Sequence, residues 1–309
     1  MEKVTRDPNS PGLSGLWLPL ITPFLEGALD EASTRRLVAH YLEEPVDGLI
    51  LAATTGEGLT LEKAEVERLV AVSAETIAEK GRDLPLYLGL SGSDTRKLVK
   101  ALARTADWPI VGYLIACPYY SRPSQAGLFQ HFTALAEGSS KPIMIYNIPY
   151  RTGVNLENET LLRLAEHPNI VGLKDCCADA SQSFELLRDR PEGFAVLTGE
   201  DALYYSALVQ GADGGILASG HVMTADFAGI RTRLLQGDQP AALRAWQQLS
   251  PIPRLLFSEP SPAAAKHWLW RSGLIASPEV RLPITPATEV LARQIDREIA
   301  QSVPSGLIP

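Results

Sequence analysis

Short apolar runs recur along the first 220 or so residues of the chain, and amphipathic stretches separate them. Within each run the apolar positions are continuous and do not alternate with polar ones. This pattern is typical of strands that are buried on both faces, as in a parallel sheet covered by helices. We therefore predict eight strands, at residues 16–22, 48–52, 85–90, 111–117, 142–146, 170–173, 195–198 and 214–218.

The stretches between these runs have helical periodicity. Residues 61–80 place Leu69 and Ile77 on one apolar face, and Gly81 ends the pattern. Asp30 is a good N-cap for a helix that begins just after it. Further helices are predicted at residues 95–104, 124–136, 157–165, 180–187, 202–210 and 224–235.

Eight strand-then-helix units of this total length predict an α/β fold, the (β/α)8 TIM barrel. A doubly wound parallel sheet is the alternative. That fold would place a Gly-rich phosphate-binding turn after the first strand, and the sequence there is Thr22-Pro23-Phe24. We therefore predict a barrel over residues 15–235, preceded by an N-terminal extension at residues 1–14.

From about residue 236 the alternation of strand and helix stops. The remaining sequence predicts two or three helices, at residues 240–248, 262–272 and 286–301, joined by Pro-rich turns. We predict that residues 236–309 form a helical region packed on the barrel and not an independent domain.

Composition excludes several classes of protein. Acidic residues outnumber basic ones by 36 to 28, which argues against a nucleic-acid-binding protein. No apolar run approaches the ~18 residues of a membrane span, and the polar N-terminus lacks the order of a secretory signal. The three cysteines form no CxxC pair, and no two histidines lie three or four residues apart. We expect no disulfide framework, no metal site, no cofactor and a cytoplasmic location.

Lys174 is the most distinctive residue at the strand ends, where a (β/α)8 enzyme holds its chemistry. Of eight lysines in the chain, it alone ends an apolar strand. Burial should lower its pKa, and a neutral amine is the nucleophile that forms a Schiff base with a ketone. The alternative is a lysine that extends to solvent or pairs with Asp175.

Other strand ends carry polar residues with two possible interpretations each. Tyr146 closes the fifth strand, either as a core residue or as a buried hydroxyl with a partner. The Thr54-Thr55-Gly56 turn suits a carboxylate or phosphate, but it also suits a plain helix entry. Arg151, in the loop after the fifth strand, is either solvated or a bidentate clamp for a carboxylate.

Three further residues have mainly structural interpretations. Glu57 and Glu200 are candidate acid–base groups, although acidic residues are favoured at helix starts in any case. Cys176 is interpreted as a small core-facing residue. Taken together, the strand ends favour imine chemistry. They would place an amine, phenols, a threonine pair and an arginine on one face, and the sequence has no Walker loop and no Ser-His-Asp elbow.

Several separated motifs then resemble one known family. They are Thr-Thr-Gly-Glu (54–57), Pro-Tyr-Tyr-Ser-Arg-Pro-Ser-Gln (118–125), Tyr-Asn-Ile-Pro-Tyr-Arg-Thr-Gly (146–153), Gly-Leu-Lys-Asp (172–175), Thr-Gly-Glu-Asp (198–201) and Glu-Pro-Ser-Pro (259–262). The chain resembles the dihydrodipicolinate synthase / N-acetylneuraminate lyase family of class I pyruvate aldolases. The resemblance covers almost the whole chain.

This resemblance implies a role for each matching residue. Lys174 resembles the Schiff-base lysine that captures pyruvate, and Tyr146 resembles the phenol that moves protons to and from the imine. Thr54 and Tyr120 resemble the rest of the proton relay, and a neighbouring subunit supplies that tyrosine in the family. The other implied roles are binding of the pyruvate carboxylate by Thr55 and Gly56, closure of the pyruvate pocket by Ile216, and binding of the acceptor carboxylate by Arg151.

Arg151 resembles the synthase branch of the family, because sialic-acid lyases lack this arginine. The implied reaction condenses pyruvate with aspartate semialdehyde to 4-hydroxy-tetrahydrodipicolinate, in lysine and diaminopimelate biosynthesis. The implied partners are pyruvate, a small aldehyde acid and further copies of the chain, as a dimer of dimers. Two alternatives stay open: a pyruvate-dependent aldolase or dehydratase on 2-keto-3-deoxy sugar acids or 4-hydroxy-2-oxoglutarate, and a non-catalytic barrel that binds 2-oxo acids.

The chain also departs from the family pattern, although no departure removes a group that the imine step needs. The altered positions are Ala53, Gly58, Ser121, Asp175-Cys176-Cys177, Glu200 and Ser261. Lysine-sensitive members carry His, His, Asn and Glu at four positions that are here Lys63, Val66, Ser93 and Lys97. Lys97 would repel the ammonium groups of lysine, so we predict that free lysine does not inhibit this protein.

Overall fold

The computed structural model describes residues 12–302, and eight parallel strands in these residues close into one barrel. The predicted (β/α)8 fold is confirmed. Of the predicted N-terminal extension, only residues 12–14 lie within the described part of the chain, and residues 303–309 also lie outside it. The strands are β1 (Gly15–Pro19), β2 (Gly48–Leu51), β3 (Leu86–Leu90), β4 (Gly112–Ala116), β5 (Ile143–Asn147), β6 (Ile170–Asp175), β7 (Ala195–Thr198) and β8 (Gly214–Ile216).

Each strand pairs with its neighbours in chain order, and β8 pairs with β1 to close the barrel. The β6 strand extends two residues beyond its predicted end, because the Asp175 carbonyl still accepts a hydrogen bond from the Gly199 N–H at 2.8 Å. The register places Lys174 beside Tyr146 of β5 and beside Leu197 of β7. The side chains of Lys174 and Tyr146 therefore lie at the C-terminal end of the barrel.

Apolar side chains cover both faces of these strands, which explains why the runs do not alternate. The larger core cluster lies between the barrel and its helices. A second cluster fills the barrel interior, where the Trp17 and Tyr87 rings meet edge to face with centroids 5.2 Å apart. The interior is a packed core, and its upper layer forms the floor of the strand-end face.

Helices surround the barrel: α1 (Glu31–Tyr41), α2 (Lys63–Glu79), α3 (Thr95–Arg104), α4 (Gln125–Glu137), α5 (Pro149–Thr152), α6 (Asn158–Ala165), α7 (Ala180–Asp189), α8 (Tyr204–Val209) and α9 (Thr224–Leu235). Asp30 caps α1 as predicted, and it accepts a hydrogen bond from the Ser33 N–H at 2.9 Å. The short α5 was not predicted. Pro149 suits its first position and Gly153 ends it in the left-handed conformation, so Arg151 lies on a helical turn. Within residues 12–302, no helix has both the length and the apolar composition needed to cross a membrane.

The C-terminal region contains α10 (Gln239–Leu249), α11 (Pro251–Leu256), α12 (Ala263–Arg271) and α13 (Glu289–Ser302). The sequence predicted a Pro-rich turn where α11 lies. Prolines in the first turn of a helix need no hydrogen-bond partner, so they are compatible with this extra helix. Residues 263–269 of α12 are buried without interruption. This helix is consequently part of the protein core.

Candidate active site

Lys174 lies buried inside the C-terminal mouth of the barrel. Its Nζ atom is 4.4 Å from the centroid of the Tyr146 ring. Burial lowers the pKa of Lys174, although the nearby Cys176, Asp201 and Glu200 act in the opposite direction. A lowered pKa increases the neutral fraction of the amine near pH 7, and the neutral amine is the form that attacks a carbonyl.

Gly199, in the turn after β7, leaves the space that the lysine side chain occupies. A Cβ atom at this position would lie 2.5 Å from Cys176 Sγ and even closer to Lys174 Cε. Any larger residue would displace both side chains. The glycine of the Thr-Gly-Glu-Asp motif is therefore required by packing against the candidate nucleophile.

Tyr146 lies on β5 next to Lys174 and is also buried. Burial raises the pKa of the Tyr146 hydroxyl well above its usual value, with smaller contributions from Cys176 and Tyr150. The phenol thus stays protonated at neutral pH and has a proton to donate to an intermediate on the amine.

The turn after β2 presents hydrogen-bond donors that the protein leaves free. Thr55 and Gly56 are buried, and no described residue accepts a hydrogen bond from either backbone N–H or from the Thr55 hydroxyl. The Gly56 carbonyl accepts a hydrogen bond from Thr22 Oγ1 at 2.7 Å, which fixes the turn against the end of β1. Free, oriented N–H and O–H groups of this kind form an anion-binding site.

Ile216 closes the interior side of the site. It lies at the end of β8, is fully buried, and belongs to the same apolar cluster as Tyr146, Cys176 and Ala53. This wall excludes water from the region around the amine, and electrostatic interactions are stronger in such an environment.

The outer mouth carries a cation with a free guanidinium. Arg151 is exposed on α5, and among residues 12–302 no carboxylate forms an ion pair with it. Its Cζ atom is 5.9 Å from the centroid of the Tyr150 ring. The Tyr150 hydroxyl donates to Glu200 Oε1 at 2.6 Å, so this acidic residue of the mouth is hydrogen-bonded to a phenol. Arg151 can therefore bind the carboxylate of a ligand.

The proton relay implied by the resemblance is incomplete within one chain. Thr54 is exposed, and no hydrogen bond joins it to the Tyr146 hydroxyl in the described structure. Tyr120 is 94% exposed and has a positive φ of 68°, while its backbone N–H donates to the Thr152 carbonyl at 3.0 Å. The structure thus places Lys174, Tyr146, the Thr55 turn, Ile216 and Arg151 at the C-terminal end of the barrel, and it leaves the Tyr120 side chain exposed.

Three of the four residues predicted to remove lysine sensitivity lie together. Lys63, Ser93 and Lys97 line one open groove of about 890 Å³, which Tyr120 also borders. Val66 is not part of this lining and packs against the core. The groove is basic, as the prediction requires.

The sequence model of the Dihydrodipicolinate synthetase family matches residues 12–302. The chain belongs to this family. It is 43% identical, over 92% of its length and 99% of the relative's, to 4-hydroxy-tetrahydrodipicolinate synthase 2 of Clostridium acetobutylicum. Among solved structures it is similar to the first monomeric dihydrodipicolinate synthase variant, with a TM-score of 0.89, 32% identity, and 96% and 97% of the two chains covered. The synthase of Thermotoga maritima also gives a TM-score of 0.89, with 31% identity over 94% of this chain and 98% of the other.

The structure of this family member also shows contacts of Glu57 and Cys176 that their interpretation from sequence did not include. Glu57 precedes the short 3-10 helix Gly58–Thr60, but its side chain does not cap that helix: it is buried and forms an ion pair with Lys266. Cys176 is buried as predicted, but it lines the site next to Lys174. Nothing in the local sequence of either residue reveals these contacts.

Asp201 is a further residue of this site that the sequence did not single out. Its Oδ1 atom accepts a hydrogen bond from the Ser219 N–H at 2.5 Å, which ties the end of β7 to the segment after β8. Burial raises the pKa of Asp201 to about 6. The sequence feature that could have identified Asp201 is its position in the Thr-Gly-Glu-Asp motif. Within the described residues, no group of three or more His, Cys, Asp or Glu side chains is placed to hold a metal ion.

Proposed function

We propose that this enzyme condenses pyruvate with L-aspartate 4-semialdehyde to 4-hydroxy-tetrahydrodipicolinate, through an imine on Lys174. The names of its relatives support this reaction. The observation that carries the proposal is the buried Lys174 amine against the Tyr146 ring. The free donors of Thr55 and Gly56 follow β2 at the same, C-terminal end of the barrel, where they suit a 2-oxo acid.

In the first step, the neutral amine of Lys174 attacks the carbonyl carbon of pyruvate. The C–N bond forms, the carbonyl oxygen leaves as water, and Tyr146 supplies and recovers protons at the nitrogen and the oxygen. Thr55 and Gly56 hold the pyruvate carboxylate. A methyl proton then passes to the Tyr146 oxygen to give the enamine, whose carbon attacks the aldehyde of the second substrate. The amino group of that substrate next displaces the Lys174 nitrogen from the imine carbon, which closes the ring and frees the amine.

Arg151 binds the carboxylate of that second substrate. Its guanidinium offers two parallel N–H groups, and it has no carboxylate partner in the described part of its own chain. Glu200, at the same mouth, accepts a hydrogen bond from Tyr150 and forms no ion pair with Arg151 in the described residues. A carboxylated aldehyde is thus the acceptor class that this mouth favours.

The proposal includes a homo-oligomer, arranged as a dimer of dimers, in the cytoplasm. The exposed phenol of Tyr120 has no role in its own barrel, and Tyr120 of the partner subunit would complete the proton relay. Three large apolar side chains are also exposed: Phe184 on α7, Val209 on α8 and Leu203 just before α8. The free thiols of Cys117, Cys176 and Cys177 are consistent with a reducing compartment.

The Arg151→Ala variant tests the second-substrate assignment. Borohydride trapping of pyruvate should stay close to wild type, because the pyruvate site does not use Arg151. The kcat/KM for aspartate semialdehyde should fall by ~10²-fold, which corresponds to about 2.7 kcal/mol of transition-state binding. Arg293→Ala, at an exposed position on α13, is the matched control and should change neither quantity.

A panel of other aldehydes extends this test. We expect aspartate semialdehyde to have the highest kcat/KM among them. If Arg151→Ala consumes it as well as wild type does, or if an uncharged sugar aldehyde is preferred, the aldolase reaction on 2-keto-3-deoxy acids becomes the better assignment.

A further inference from the structure

The path of the loop between β2 and α2 depends on Glu57. The Glu57 N–H donates to the Thr54 carbonyl at 3.0 Å, and Glu57 has a left-handed φ of +53°. A side chain in this region strains the backbone, and such a conformation persists where surrounding contacts hold it. The buried carboxylate of Glu57 supplies those contacts.

Two segments of the C-terminal region hold this carboxylate. The Nζ atom of Lys266, on α12, is 2.5 Å from Glu57 Oε2, and the two side chains are 0% and 3% exposed. Arg281 donates its backbone N–H to Glu57 Oε1 at 2.8 Å. Lys266 also donates to the Glu279 carbonyl at 2.8 Å and lies over the Phe24 ring. Burial lowers the pKa of Lys266 to about 8, so the ammonium is still mainly protonated at neutral pH.

The other side of the same loop is fixed to the barrel. Thr22 Oγ1 donates to the Gly56 carbonyl at 2.7 Å, and a Cβ atom at Gly56 would lie only 2.7 Å from the Leu20 carbonyl oxygen. Thr55 therefore lies between two anchors, one on the barrel and one in the C-terminal region. Displacement of either anchor moves the free donors of Thr55 and Gly56.

We propose that Glu57 and Lys266 are positioning residues for the pyruvate-carboxylate site, so that the C-terminal region takes part in substrate binding. The inference rests on the proposed function, because it takes Thr55 and Gly56 as the carboxylate donors. Removing both charges of a buried ion pair together is often neutral for stability, whereas removing one is strongly destabilising. A positioning role predicts that pyruvate affinity falls even where stability is retained.

The variants Lys266→Met, Glu57→Gln and the double variant test this role. Arg68→Met is the control, since it removes an exposed ion pair with Glu31. For each protein we would measure the pyruvate concentration that gives half-maximal borohydride trapping without any aldehyde. Circular dichroism and Tm would report the fold, and kcat at saturating pyruvate would separate positioning from loss of the chemical step.

We expect the half-maximal pyruvate concentration to rise at least ten-fold in all three variants and to stay unchanged in Arg68→Met. The double variant should recover most of the Tm lost by the single ones, but it should not recover the affinity. Wild-type affinity in any folded variant without the pair overturns the inference, and so does failure of all three variants to fold. Absence of trapping in the wild-type protein refutes the proposed function instead.

Discussion

A methyl group added at Gly199 would occupy space that Lys174 and Cys176 now fill. The added Cβ atom would lie 2.5 Å from Cys176 Sγ and closer still to Lys174 Cε. Because optimal carbon contacts are ~3.5–4.0 Å, both side chains must move by about 1 Å or more. A displacement of ~1 Å at a reacting group costs ~10²-fold in rate, which is about 2.7 kcal/mol. Overpacking should also lower the free energy of unfolding by about 1–3 kcal/mol.

The Gly199→Ala variant would be assayed for kcat/KM and for borohydride trapping of pyruvate, with Tm as the measure of stability. We expect both activities to fall by ~10²-fold in a folded protein. Gly229→Ala is the matched control, because its new methyl group meets only the flexible end of Arg233, on a half-buried side of α9. That control should keep full activity and gain up to about 1 kcal/mol of helix stability. Normal trapping in folded Gly199→Ala would refute the argument that this packing orients the amine.

Three further predictions concern the relay and the groove. Tyr146→Phe should lower kcat by ~10²-fold or more with an unchanged circular dichroism spectrum, and a near-normal rate would return Tyr146 to a packing role. Mixed subunits of inactive Tyr120→Phe and Lys174→Ala should recover about a quarter of wild-type activity after exchange, since half of the dimers then contain one complete site of two. No recovery after verified exchange would count against a shared site. L-lysine should not inhibit at sub-millimolar concentrations, because Lys63 and Lys97 repel its ammonium groups. Saturable inhibition in that concentration range would contradict this prediction.

Local sequence determined the architecture and most of the candidate site. Strands covered on both faces are continuously apolar, so the eight runs and their spacing predicted the barrel and the end at which Lys174 and Tyr146 lie. The strand-end motifs also placed Thr55 and Arg151 on that face. These features can be predicted from the sequence because burial of a strand on two faces, and the order of strands and helices, produce regular patterns of apolar residues that lie close together in the chain.

The tertiary structure alone decided which other residues support the candidate site. Lys266 lies in an ordinary helical pattern, and Glu57 begins what reads as an ordinary helix, yet they form a fully buried ion pair. Gly199 is one glycine among 24 in the sequence, and only the side chains packed against it show that it must be a glycine. The pattern of apolar and polar positions along a helix or strand indicates which of its faces is buried. This pattern does not predict which residue from a distant part of the sequence will contact a given side chain, because that contact depends on the path of the whole chain around the barrel.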